Sequence, residues 1–356
     1  MSSFKVLKYL DKDKWLDLLL SFPTSFQDIY FSPEYYNLYE RNDEGEAQCF
    51  IFEKDGSVAL YPFLLNNVNK LGYELDHEYF DIQGAYGYNG VLSTCYDGQF
   101  IDDFHRVFSA FCQDNNIIAE FTRFHPLLNN QMFSEEHFDV YLDRETVWLD
   151  LSQEYDTIWE KEFSGRNRNM IRKAEKMGVT SFLSTDQDDF EQFIELYHET
   201  MKHVGATDYF YFNNDYFYNI KEGLKSHHHL IVSKVEEEFA GGMILFIYGD
   251  YAHYHLSARK FGFGKYAINN HFLNYAIKIA KEQGCKKMHF GGGLTADLKD
   301  PLLKFKSDFS KQRANFYFGK KVHNKKVYKQ VTEQWKNKYP DSFKQNKIKL
   351  LGYREI

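Results

Sequence analysis

Apolar residues recur along this chain in two rhythms. The stretch "DKDKWLDLLLSF" (11–22) carries them at helical spacing behind an acidic start, which predicts a helix. "AQCFIFEKDGSVALYPFLLNNV" (47–68) is two apolar runs around "KDGS", a hairpin signal. "IDDFHRVFSAFCQDNN" (101–116) is apolar at 101, 104, 107, 108 and 111, a helix that hands over to the short strand "IIAEFTRF" (117–124). The second half repeats this grammar. Helices are predicted over 156–179, with a basic face, and over 188–205, ending at Gly205. Residues 228–258 read as three strands joined by turns at "EEEF" and "YGD". A long helix over 265–284 stops at a glycine, and a short strand over 285–293 runs into a glycine-rich turn. A strand (311–324) and a helix (325–339) follow.

That order of elements predicts the α+β class. We expect two tandem units, each a mixed, mostly antiparallel sheet flanked by helices, dividing as 1–148 and 149–356. The division rests on the repeated pattern, since no repeat shows at the level of residue identity.

Composition adds limits. Hydrophobic residues make up 43% and charged residues 26%, ordinary for a soluble globular chain. The aromatic share of 18% lets a large core form. A formal net charge of −8 disfavours a generic binder of nucleic acid or anionic membrane. Bases nevertheless outnumber acids from Lys299 to Lys349, which leaves either a solvated face or a local anion site. Cys49, Cys95, Cys112 and Cys285 form no metal or disulfide pattern, as expected in a reduced, cytoplasmic setting. The first residues lack the apolar run of a signal peptide, and stretches such as "MILFIY" fall far short of the ~20 residues of a membrane helix.

The chemistry gathers around "YAHYHLSARKFGFGKYAINN" (251–270). Tyr251, His253, His255 and Ser257 alternate with Ala252, Tyr254, Leu256 and Ala258, so a strand enters here, and a helix begins at or just after Gly264. A helix start carries unpartnered N–H groups and partial positive charge. Gly262 and Gly264 allow backbone to approach an anion, Arg259 and Lys265 add full charges, and Phe263 sits between the glycines. The alternative is a tight strand-to-helix turn with a surface arginine. The spacing Arg-x-x-Gly-x-Gly resembles the acyl-CoA loop of the GNAT superfamily of N-acyltransferases. Three further stretches resemble the Fem-type branch, the tandem acyltransferases of peptidoglycan bridges and related cell-surface glycans. They are "GRNRNMIRKAEKMGV" (165–179), "AIKIAKEQGCKKMHFGGG" (276–293) and "LLKFKSDFS" (302–310), joined in the first half by "DIQGAYGYNGVL" and "EFTRFHPLLNN". The resemblance implies an acyl donor, acetyl-CoA or another acyl-CoA, with aminoacyl-tRNA as the alternative. It implies an amine acceptor on an amino sugar, nucleotide sugar or cell-wall precursor. No heptad run supplies the long helical arm of the tRNA-using members.

Within that expectation Lys306 matches a position that steadies negative charge on the reacting oxygen, unless it is a surface lysine paired with Asp308. His255 is the expected base, with an ordinary packed histidine as the alternative. Tyr86, Tyr88 and Asn89 in "AYGYNG" and Arg123 and His125 in "RFHP" are expected to hold the acceptor, or else to pack a turn. Arg166, Arg168 and Arg172 would clamp a pyrophosphate or form a solvated helix face. "SHHHL" (226–230) puts successive histidines on opposite faces, so no metal is expected there. "FGGGL" lacks the Gly-x-Gly-x-x-Gly spacing of a dinucleotide fold. A glycan- or nucleotide-sugar-binding module without catalysis is the reading from outside the enzymes.

Overall fold

A computed structural model describes residues 2–205 and 211–356. The chain forms two compact units: Met1–Phe26 with Tyr30–Asp143 and Phe316–Ile356, and Gln27–Ile29 with Arg144–Asn315. In chain order the first unit begins with β1 (Ser2–Lys8), α1 (Lys12–Ser21), α2 (Pro33–Glu40), β2 (Glu46–Lys54) and β3 (Ser57–Asn67). It continues with β4 (Phe80–Gln83), β5 (Leu92–Ser93), α3 (Gly98–Asp114) and β6 (Ile117–Arg123). β7 (Asp139–Asp150) carries the chain into the second unit. There follow α4 (Tyr155–Lys161), α5 (Gly165–Lys176), β8 (Val179–Ser184), α6 (Gln187–His203), α7 (Asn214–Leu224), β9 (His228–Val235) and β10 (Glu238–Tyr248). Next come β11 (Tyr251–Arg259), α8 (Ile268–Glu282), β12 (Lys287–Gly292) and α9 (Pro301–Ser307). β13 (Arg313–Val322) returns to the first unit, which α10 (Lys325–Lys338) and α11 (Pro340–Asn346) complete.

Both units share one sheet grammar. In the first, β1, β2, β3 and β4 pair antiparallel in turn, β4 pairs β6 in parallel, and β13 pairs β6 antiparallel. In the second, the order is β7-β12-β11-β10-β9-β8, antiparallel except for the parallel pair β12·β11. Each parallel pair needs a crossover, supplied by α3 in one unit and α8 in the other. The apolar stripes of those helices cover their sheets. Phe104 and Phe108 of α3 pack with Phe50, Phe52 and Tyr61, and Phe272, Leu273 and Ile277 of α8 with Met243, Leu245 and Met288. The class and the tandem arrangement are therefore as the sequence pattern predicts.

The units do not divide at 148/149. Residues 316–356 cluster with the first unit because Phe318–Val322 pair with Ala119–Arg123 and because Val327, Val331 and Trp335 bury against Val68, Tyr73 and Ile118. The segment 27–29 joins the second unit, where Asp28 accepts a hydrogen bond from His253 Nε2 at 2.8 Å, both side chains buried. The helix predicted over 156–179 is two, because Ser164 starts α5 afresh by accepting from the Asn167 N–H. Among the described residues no helix is long and apolar enough to cross a membrane.

Candidate active site

β11 ends at Arg259 and α8 starts at Ile268, later than the sequence predicts, because Phe263–Tyr266 form a single 3-10 turn first. The residue at each start is left-handed: Gly262 (φ 86°) before the 3-10 turn and Ala267 (φ 55°) before α8. Neither start has a side-chain cap. α3, the matching crossover helix of the first unit, is capped by its own Asp97, which accepts from the Phe100 N–H. Gly262 needs its glycine for φ, since a Cβ there would meet open space. At Gly264 a Cβ would lie 3.3 Å from Arg259 Nη1, a tight fit that the arginine side chain would have to relieve. Arg259 is thus folded back over Gly264, as the spacing requires. Lys265 is exposed, with its ammonium 4.9 Å from the Tyr266 ring centre. Phe263 is half-buried, its ring against Tyr266 and the edge of the core.

A wedge opens beside this loop. β11 and β12 pair only at Tyr251–His253 with Lys287–His289. Beyond that rung each strand follows its outer neighbour: 254–259 stay on β10, and Gly291 and Gly292 on β7. A bulge aids the parting, since Leu256 and Tyr254 face consecutive residues of β10 and leave His255 as the extra residue. The bulge also places Tyr254 and Ser257 on one face, where their hydroxyls hydrogen-bond.

Lys306 lies at this wedge. It is a buried residue of α9, not a surface lysine, and its ammonium donates to the Gly292 carbonyl at 2.7 Å and lies 5.7 Å from the Tyr254 ring centre. Asp308 is engaged elsewhere, by Arg166 and by Ser164 Oγ at 2.8 Å. Burial lowers the Lys306 pKa to about 7, against the pull of Asp300 and with a push from Arg144. Gly291 holds a left-handed φ of 78°, which explains one glycine of "GGG", and a Cβ there would come within 3.2 Å of Lys306 Nζ.

His255 does not suit the base role. Its ring stacks on Phe246 at 4.2 Å, its Nε2 pairs with the Tyr216 hydroxyl at 2.8 Å, and burial lowers its pKa to about 3. A group that weakly basic takes up little proton at neutral pH. The remaining candidates are committed to the fold. Asn89 Oδ1 accepts from the Arg123 N–H at 2.8 Å, and Arg123 Nη2 donates to the Gly84 and Ala85 carbonyls. His125 is buried and accepts from the Leu127 N–H, with the Tyr88 ring 5.4 Å away, and Tyr86 offers its carbonyl to Tyr35. Arg168 caps the end of α4 through the carbonyls of Trp159, Glu160 and Phe163. Arg172 is exposed, over the Trp159 ring at 5.4 Å. Tyr86, Tyr88, Asn89, Arg123 and His125 gather around one turn of the first unit, while Arg168 and Arg172 belong to the helices of the second.

Residues 161–300 match the sequence model of the acetyltransferase (GNAT) domain. The second unit therefore carries a GNAT domain, a domain of acyltransferases. Among solved structures, FemX superposes with a TM-score of 0.68 at 16% identity, over 92% of this chain and 99% of that one. A conserved protein of unknown function from Bacteroides thetaiotaomicron VPI-5482 gives 0.57 at 13% identity, over 90% and 99%. The C-terminal domain of a putative lysylphosphatidylglycerol synthetase from Agrobacterium fabrum gives 0.51 at 12%, over 89% and 93%. The likeness to FemX covers both units, so the fold of the whole chain is of that type. No curated protein matches the chain.

The wedge is also framed by residues that sequence reasoning passed over. Arg144 Nη1 donates to the Gly293 and Leu294 carbonyls at 2.9 and 3.0 Å. Asp300 caps α9 through the Leu302 and Leu303 N–H groups and ties Thr295 through its N–H and hydroxyl. Together they fix the 293–300 turn that presents Lys306. The Asp-Pro pair at 300–301 is a helix-start signal that was legible; the reach of Arg144 across 149 positions was not.

Proposed function

We propose that the second unit transfers an acyl group from an acyl-CoA to an amine, with the donor phosphates held by the Arg259–Lys265 loop. One observation carries the reading: α8 starts without a side-chain cap, behind two glycines and the folded-back Arg259, beside a wedge between β11 and β12. Uncapped N–H groups at a helix start bind anions, and guanidinium adds charge-assisted bonds of roughly 1.5–3 kcal/mol each. The donor supplies an activated carbonyl. In the wedge the main chain of β11 aligns the extended arm of the donor, as an added strand would. The Lys306 ammonium meets the carbonyl oxygen that gains negative charge as the C–N bond forms and gives it up as the C–S bond breaks. The amine proton leaves with the departing thiol or water. The acceptor is an amine on an amino sugar or cell-wall precursor, a choice supported by the resemblance to surface-glycan transferases.

Calorimetric titration with acetyl-CoA tests the loop. Arg259→Ala combined with Gly264→Val is expected to weaken binding at least tenfold at unchanged melting temperature. Unaltered affinity would remove the cradle. The Fem-type fold favours a second reading, an aminoacyl ester on tRNA, for which binding would fall steeply with salt.

A further inference from the structure

Phe261 stands at the tip of the β11–α8 loop, 78% exposed. Its neighbour two residues on, Phe263, is half-buried and packs against the core. Gly262 between them holds a left-handed φ of 86°. The loop therefore turns one phenylalanine in and holds the other in water, where it adds nothing to the folded core. The exposed ring is not alone. The His203 ring lies 4.5 Å away, centre to centre, at an angle of 58°. His203 and Lys202 form the basic last turn of α6, and both are exposed. Arg259 and Lys265, the two cations of the loop, lie two and four residues from Phe261. The pair of rings is thus set among positive charges, at the outer end of the proposed phosphate site.

We propose that Phe261 and His203 form a stacking platform for the adenine of an adenosine-phosphate group at the end of the acyl donor. An exposed aromatic ring stacks a base through its face, whatever the base's edge offers, while neighbouring cations follow the phosphates. Arg259 is within roughly 7 Å of Phe261 along the chain, Cα to Cα, a span that suits a base and its own phosphate. Both CoA and the acceptor end of tRNA carry this chemistry. The inference rests on the donor-loop reading above and deepens it, because it assigns the base-recognising residues of the same site.

The test compares ligands with and without the adenosine. Wild-type protein and Phe261→Ala are titrated with CoA, with 4′-phosphopantetheine, and with an RNA microhelix ending in adenosine or lacking that nucleotide. The expected result is a loss of about tenfold in affinity for the adenosine-bearing ligand and no change for its shortened counterpart, with Phe261→Trp restoring binding. Whether CoA or the microhelix shows the effect identifies the source. Equal weakening of long and short ligands, or no weakening of either, overturns the platform while leaving the phosphate loop standing. Failure of wild-type protein to bind any of them overturns both readings. Melting curves of Phe261→Ala should match wild type, since the ring contributes little buried area.

Discussion

At the scale of single residues, Lys306 concentrates the unusual physics. Its ordinary pKa of 10.5 falls to about 7 through burial. The folded protein therefore begins to lose this proton near pH 7, whereas the unfolded chain keeps it to about 10.5. Between those values the unfolded state binds more protons, so stability rises with pH across that window through this group. Denaturant titrations at pH 6 and pH 9 should show wild type gaining relative to Lys306→Met. A gap that stays constant with pH would show that the ammonium is not desolvated. The catalytic consequence has the opposite sign. An ammonium that stabilises an oxyanion is present below about pH 7, so the lysine-dependent part of kcat should decline above it. Lys306→Met should lower kcat by roughly 10²–10³, the usual loss for one donor of this kind, with little change in KM. A matching loss in KM, or no loss, would make the residue structural. Gly262 belongs to the same scale. Its left-handed φ predicts that Gly262→Ala strains the loop by about 1–2 kcal/mol, read as a lower melting temperature.

At the scale of elements, α9 shows how a short helix is aimed. It has seven residues, too few to hold itself, and depends on Asp300 at its start. Asp300→Ala removes two N–H acceptors from the helix and the tie to Thr295, and caps of this kind are worth about 1 kcal/mol. The expected outcome is a modest loss of stability with a disproportionate loss of kcat, because Lys306 is no longer presented. Asp300→Asn keeps the Oδ1 acceptor for the helix N–H groups but replaces Oδ2 by a donor facing the Thr295 N–H, so it should recover the helix cap and only part of kcat. Elements of this kind also mark what the sequence could reveal. Long periodic segments such as α3, α6 and α8 and the β9–β11 meander were readable, since their apolar spacing repeats many times. The pieces that aim the site were not. β8 is six residues of mixed polarity, α7 starts from an Asn cap without a long stripe, and the 3-10 turn at Phe263–Tyr266 delays α8 through a left-handed alanine. The turn after β11 was legible because Arg259, Gly262 and Gly264 lie within six residues of one another. The structural bonds of Asn89, Arg123 and Arg168 to carbonyls and amides nearby in space were not legible, because their partners are distant or unmarked in sequence.

At the scale of the molecule, the path of the chain decides which part can be removed. The first unit is assembled from both ends of the sequence, and its last pieces carry real burial. Trp335, Val331 and Tyr353 are buried, the Tyr73 hydroxyl donates to the Tyr353 carbonyl at 2.6 Å, and the Tyr353 hydroxyl donates to buried Asp81 at 2.7 Å. Within the same unit, buried Glu120 accepts from Tyr61 and pairs with His323 at 2.8 Å. Removing one partner of such a buried pair costs several kcal/mol, on the order of 3–5, and large-to-small losses in the core around Trp335 cost as much again. A chain that stops after Asn315 should therefore lose the folding transition of the first unit, although every residue of that unit before β13 is still present. Limited proteolysis would show rapid cutting before residue 143 and protection of 144–315. If the truncated chain keeps the full-length melting profile, the C-terminal stretch is an appendage and the two-ended unit is not how this protein is stabilised.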